Sequence, residues 1–214
     1  MRHAVLGTGM VGKAIASKLR SLDHDVTMGS RTADNAAATA WAAETGGRAA
    51  TFADAAAWAE VVWNCTSGGA SLEALALAGA DNLAGKILID LANPLDFSQG
   101  FPPILSITGR DSLGEQIQRR FPQARVVKTL NTMNCLLMVD PGRVPEATEV
   151  FVSGDDAQAK AAVVEILRSF GWAAPIDLGD ISTSRGTEAW LPLWVRLYGA
   201  LGTPDFNMKL VRAT

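Results

Sequence analysis

Little in this sequence is of the kind on which most enzyme chemistry turns: two histidines, two cysteines and one tyrosine among 214 residues. Cys65 and Cys135 are too few for a disulfide framework and lack the paired spacing of a metal site, so both are expected as free thiols. His3 falls within the first strand-like segment and His24 in the turn before the second. That placement removes a central catalytic histidine, and with it a serine or cysteine nucleophile activated by one. The lone Tyr198 is followed at Tyr-x-x-x-Lys spacing by Gly202, which excludes short-chain dehydrogenase chemistry. Positive charge is not in excess either: the formal net charge is -3, which argues against nucleic acid or a membrane surface as the main partner. The longest dense apolar stretch, Trp190 to Leu201, is interrupted by Pro192 and Arg196 and falls short of the roughly 18 to 20 residues of a membrane span. Met1-Arg2-His3 runs straight into a strand-like segment without a charged leader, apolar core or cleavage site, so a cytoplasmic protein is expected.

What is present is a chain that is 48% hydrophobic and 19% charged, enough to bury one substantial core. Short β-like runs alternate with alanine-rich helical runs, as in βαβ units that build a parallel sheet. Strands are expected near 4–6, 25–28, 48–51, 61–64, 86–91, 125–130 and 149–152. Helices are expected over 10–22, where Val11, Ile15 and Leu19 share a face, and over 34–44, 70–78, 111–121 and 155–170. Asp155 or Ser153 should cap the last of these and Gly171 end it. Between 93 and 109, Pro94, Gly100, Pro102 and Pro103 predict a loop over the sheet edge rather than another element. The fold class is therefore α/β: a Rossmann-like, doubly wound, mainly parallel sheet over residues 1–178, followed by a small C-terminal helical cap over 179–214. The cap carries Trp190, Trp194 and Tyr198 on one helical face and is the candidate homodimer interface.

Gly7-Thr8-Gly9-Met10-Val11-Gly12 follows the first strand and opens the first helix, the context that the G-x-G-x-x-G pattern requires. Gly7 permits the tight turn, Gly9 lets backbone approach a pyrophosphate, Gly12 allows close helix packing, and the helix N-terminus attracts the anion. The second strand ends in Gly29-Ser30-Arg31-Thr32, where an Asp or Glu would bond the ribose 2'-hydroxyl of NAD but repel a 2'-phosphate. Asp34 comes only after that point. Ser30 as a hydroxyl donor and Arg31 as a guanidinium suit a phosphate dianion, so the stretch selects NADP.

Small polar groups fill the expected carboxyl edge of the sheet: Thr66, Ser67, Gly68 and Gly69 after the fourth strand, Asn93 and Pro94 after the fifth, and Asn131 after the sixth. They could align a nicotinamide with a small-molecule ring acceptor, and hydride transfer between two rings needs little beyond alignment and exclusion of water. Met133 and Cys135 read as apolar wall, and Lys128 as a snorkelling edge residue. No acid, base or nucleophile stands out, so a non-catalytic NADP-binding sensor is the alternative from another class.

The segments VLGTGMVGKAIASKL and HDVTMGSR, with VSGDD, PIDLGDISTSR and FNMKLV, resemble the coenzyme F420-dependent NADP oxidoreductases over nearly the whole chain. The resemblance implies Thr8, Gly9, Met10 and Val11 at the pyrophosphate and Ser30 and Arg31 at the 2'-phosphate. It also implies a deazaflavin between the sheet edge and the cap, with reversible hydride transfer between nicotinamide C4 and deazaflavin C5. Members of that family often carry a basic residue near Asn35, Pro-Trp in place of Gly68-Gly69, and histidine in place of Asn131. KTLNTM is similar to the NADPH-binding domains of membrane ferric reductases, so an NADPH-dependent flavin reductase is the nearest enzyme alternative.

Overall fold

The computed structural model describes residues 1–211 and 213. Arg212 and Thr214, at the end of the expected cap, lie outside the described residues. Ten strands are described: β1 (Arg2–Leu6), β2 (Asp25–Ser30), β3 (Arg48–Thr51), β4 (Val61–Asn64), β5 (Ile87–Asp90), β6 (Leu95–Asp96), β7 (Ile104–Leu105), β8 (Arg125–Thr129), β9 (Phe151–Ser153) and β10 (Ile176–Gly179). The α-helices are α1 (Met10–Ser21), α2 (Ala36–Thr45), α3 (Phe52–Trp58), α4 (Gly68–Ala78), α5 (Ala80–Leu83), α6 (Leu113–Arg120), α7 (Cys135–Val139), α8 (Ala157–Phe170), α9 (Ser184–Ala189) and α10 (Leu191–Leu201). None of the described helices is long and apolar enough to cross a membrane.

Alternation along the strands sorts their side chains onto two faces. Met28, Val5, Trp63, Ile89 and Val127 stand in register across β2, β1, β4, β5 and β8. They join Ile15 and Leu19 of α1 and Val163, Leu167 and Phe170 of α8 in one buried core. The next register row, Ala4, Val62, Leu88 and Val126, points the other way and packs with Phe52 and Ala55 of α3, Leu75 of α4 and Ile117 of α6. Burial on both faces is what forces the strands to read as continuous apolar runs. The eight-stranded sheet has the order β10-β9-β8-β5-β4-β1-β2-β3, with β8 and β9 antiparallel and the remaining neighbours parallel. It is the Rossmann-like, doubly wound arrangement. The strand order reverses direction between β1 and β4, so α1 and α4 leave on opposite faces and a crevice opens at their N-termini.

Two expectations change. Residues 93–109 are not a plain loop: Leu95–Asp96 and Ile104–Leu105 pair antiparallel as a two-stranded ribbon. Pro and Gly punctuate both outcomes alike, and a ribbon this short has no periodicity to betray it. The cap of α8 is Asp156, whose side chain accepts from Ala159 N, while Asp155 accepts from Ile181 N and Ser153 from the Thr183 hydroxyl.

His3 is buried in β1, its Nδ1 accepting from Trp63 Nε1 at 3.1 Å, and its Nε2 has no partner among the described residues. Burial first, then the nearby His24 and N-terminal charges, lower its pKa from 6.5 to about 3. The folded state therefore holds His3 neutral where the unfolded chain binds a proton, so stability rises with pH between about 3 and 6.5. Each unit in that window corresponds to about 1.4 kcal/mol. Urea midpoints measured from pH 7 downward should fall through this window, and His3→Gln should flatten the slope.

Candidate functional site

The crevice between β1 and β4 widens into a cavity of about 300 Å³. Gly7, Thr8, Gly9, Ser30, Arg31, Thr66 and Ser67 all line it, so three chain segments anticipated from sequence converge on one space. Gly7 sits at φ +119°, and a Cβ on Gly12 would stand 2.0 Å from Gly7 O, so the turn from β1 into α1 closes only with hydrogen at both positions. Gly9 has open space where its Cβ would be.

Helix capping varies across the molecule, and α5, α9 and α10 begin without a side-chain cap. Helices α2, α3, α6, α7 and α8 have side-chain caps from Asn35, Thr51, Ser112, Asn134 and Asp156. The two helices that open on the cavity, α1 after Gly9 and α4 after Ser67, have none. Their first-turn amides find no side-chain acceptor, although Ala70 N donates to Ser67 O within its own turn, and such helix starts suit an anion. Asn35, by contrast, is spent on Ala37 N and Ala38 N at the start of α2.

Ser30 also shapes the turn after β2. It is buried, and its hydroxyl donates to Thr32 O at 2.5 Å, which holds the turn after β2; Thr32 itself does not line the cavity. Arg31 is exposed and has no ion pair among the described residues. Met10 and Val11 form the first turn of α1 beside the cavity without lining it.

The remaining candidates gather elsewhere along the same edge. Asn93 Nδ2 donates to Asn131 O at 2.8 Å and Asn131 Nδ2 donates to Asn93 Oδ1 at 2.9 Å, tying the ends of β5 and β8 together next to the buried Pro94. A Cβ on Gly68 would meet Asn93 O at 2.0 Å, so Gly68 is there to let α4 approach this strand end. A second, mostly apolar cavity of about 390 Å³ follows beside β8, β9 and β10, with Thr132, Phe151, Leu178, Thr187, Trp190 and Met208 among its walls. Trp190 Nε1 donates to Thr132 O at 3.0 Å, which ties the residue before α10 to the sheet edge.

Lys128 is not a snorkelling edge residue. Its ammonium is fully buried, 2.8 Å from Asp90 Oδ2 and 2.8 Å from Glu188 Oε1, and it also donates to Ala92 O. Burial works against the charge, but the two carboxylates more than offset it, and the Lys128 pKa is raised. From Asp90 the chain of contacts runs through Asn64 Nδ2 at 2.8 Å and Asn64 Oδ1 to the Thr66 hydroxyl at 2.7 Å, which stands in the first cavity. Glu188 meanwhile accepts from Leu113 N and Gly114 N at the start of α6. One buried polar network therefore joins α9 to the cavity.

Both cysteines are free and buried, and burial pushes both thiols up, so Cys65, although it lines the cavity, is no nucleophile. No group of three or more His, Cys, Asp or Glu among the described residues could hold a metal. Asn35 also lines the cavity, and so do Phe52, Ala70, Glu73, Ala74 and Leu77, which went unread in the sequence. The signal for the last four was available: spacing i, i+3, i+4, i+7 on the helix that follows β4.

Residues 2–94 match the family model described as NADP oxidoreductase, coenzyme F420-dependent. A solved structure from Arthrobacter sp. FB24, provisionally described as an F420-dependent NADP reductase, is 56% identical, with a TM-score of 0.96 over 99% of this chain and 100% of that one. The chain belongs to this family. As a member of the coenzyme F420-dependent NADP oxidoreductases it is an NADP-dependent oxidoreductase. It is also similar to the metalloreductase STEAP3 of Rattus norvegicus, 33% identical over 54% of this chain and 22% of that protein. The F420-dependent NADP reductase of Methanocaldococcus jannaschii is 28% identical over 58% of this chain and 56% of that protein. The chain thus spans about a fifth of the first of these relatives and just over half of the second.

Proposed function

We propose that this protein carries hydride between NADP and coenzyme F420, with NADP in the cavity between β1, β2 and β4. The observation that carries the reading is the pairing of two uncapped helix N-termini with an exposed arginine at the end of β2, where no carboxylate stands. Gly7, Thr8, Gly9, Met10, Val11 and Gly12 form the pyrophosphate cradle, with Thr66, Ser67 and Gly68 on its far side. Arg31 meets the 2'-phosphate, and Ser30 and Thr32 act by fixing the turn that presents it. Asn93, Pro94 and Asn131 lie between the two cavities in strand order and form the floor for the nicotinamide. The apolar cavity beside Trp190 takes the acceptor ring.

Bound there, the two cofactors supply donor C4 and acceptor C5, and reduction of the deazaflavin also takes up one proton from solvent. The protein's part is alignment and exclusion of water, which a floor of amides and an apolar wall provide without an acid or base. Support for the deazaflavin comes from the family and from the names of its relatives. The similarity of KTLNTM to the NADPH-binding domains of membrane ferric reductases keeps flavin reduction as a second reading. Anaerobic NADPH oxidation with F420, FMN and FAD in parallel separates the two. Turnover with F420 well above that with either flavin is expected; flavin turnover alone would replace the acceptor.

A further inference from the structure

Ala70, Glu73, Ala74 and Leu77 form one stripe of α4 along the cavity, and Phe52 adds an aromatic wall. Gly7 to Gly9 and the first turn of α4 make the anion end. Glu73 lies six residues beyond Ser67, about 9 Å along the helix from that end. It is exposed, and its carboxylate has no ion pair or hydrogen bond among the described residues. Glu73 is the one carboxylate lining a cavity otherwise furnished for an anion. Such a group repels the ligand unless the ligand brings a donor to it.

We propose that Glu73 reads the base of the dinucleotide by accepting a hydrogen bond from the 6-amino group of adenine. The inference rests on the placement of NADP given above. Phe52, Ala70, Ala74 and Leu77 offer apolar surface to a flat heteroaromatic ring. Of the common purines, adenine presents an exocyclic donor at position 6 and hypoxanthine and guanine present an acceptor there. A carboxylate on this stripe therefore attracts the first and repels the others at that position.

The test is the binding of NADPH and of its hypoxanthine analogue, titrated against wild type, Glu73→Gln and Glu73→Ala. Wild type should prefer NADPH by about tenfold, the equivalent of one hydrogen bond to a charged group. Glu73→Ala should bring the preference near unity through weaker NADPH binding, and Glu73→Gln, which keeps an acceptor, should retain part of it. The same preference in wild type and Glu73→Ala would overturn the inference, as would a gain in affinity for both ligands when the carboxylate is removed. That failure is distinguishable from failure of the NADP placement, which would show as wild-type protein that does not bind NADPH or as indifference to loss of Arg31.

Discussion

Lys128→Met should lower the stability of the folded protein by about 3 to 5 kcal/mol, because it strands two buried carboxylates. At a few degrees per kcal/mol for a chain of this size, the melting temperature should drop by roughly 10 °C. Asp90 and Glu188 each keep other donors, Asn64 and Ala92 N for the first and Leu113 N and Gly114 N for the second. Those hydrogen bonds do not replace the lost charge. Thermal unfolding of both proteins at neutral pH checks the magnitude. An unchanged midpoint at neutral pH would mean that the ammonium does not hold the network.

The second large effect concerns the cofactor. Arg31→Ala should weaken NADPH binding about ten- to a hundredfold, the range of one lost charge-assisted hydrogen bond, and leave NADH nearly unchanged. Arg31 is exposed at the cavity mouth, so its contribution is screened, and wild-type NADPH affinity should fall with added salt more steeply than that of the variant. Ser30→Ala should act on the same discrimination more weakly, since its hydroxyl is engaged with Thr32 O and shapes the turn. Equal losses for the two nucleotides in Arg31→Ala would remove the 2'-phosphate from this position.

The parallel sheet and the glycine loop were legible because local pattern determines them. A strand buried on both faces must be apolar throughout, and a chain that turns from β1 into α1 against its own backbone must have glycine at Gly7 and Gly12. The polar network was not legible. Lys128 meets Asp90 and Glu188 across 38 and 60 residues of sequence, and nothing local distinguishes a buried, paired lysine from one that reaches solvent. Gly68 also clears Asn93 O, a neighbour that β5 supplies and that the local sequence does not disclose. Ser30, expected as a phosphate donor, gives its hydroxyl hydrogen to a carbonyl two residues on and lines the cavity beside Arg31. The glycine loop is thus readable because it depends on the chain next to it, and the buried network is unreadable because distant strands complete it.

The most direct test of hydride passage to a deazaflavin follows the hydrogen itself. NADPH carrying deuterium at the transferring C4 position is mixed anaerobically with coenzyme F420 and the protein, and the product is examined by mass spectrometry and NMR. Direct transfer places the deuterium at C5 of the reduced deazaflavin in unlabelled water. Reduced deazaflavin without the label, or NADPH left unconsumed while F420 stays oxidised, would contradict the account.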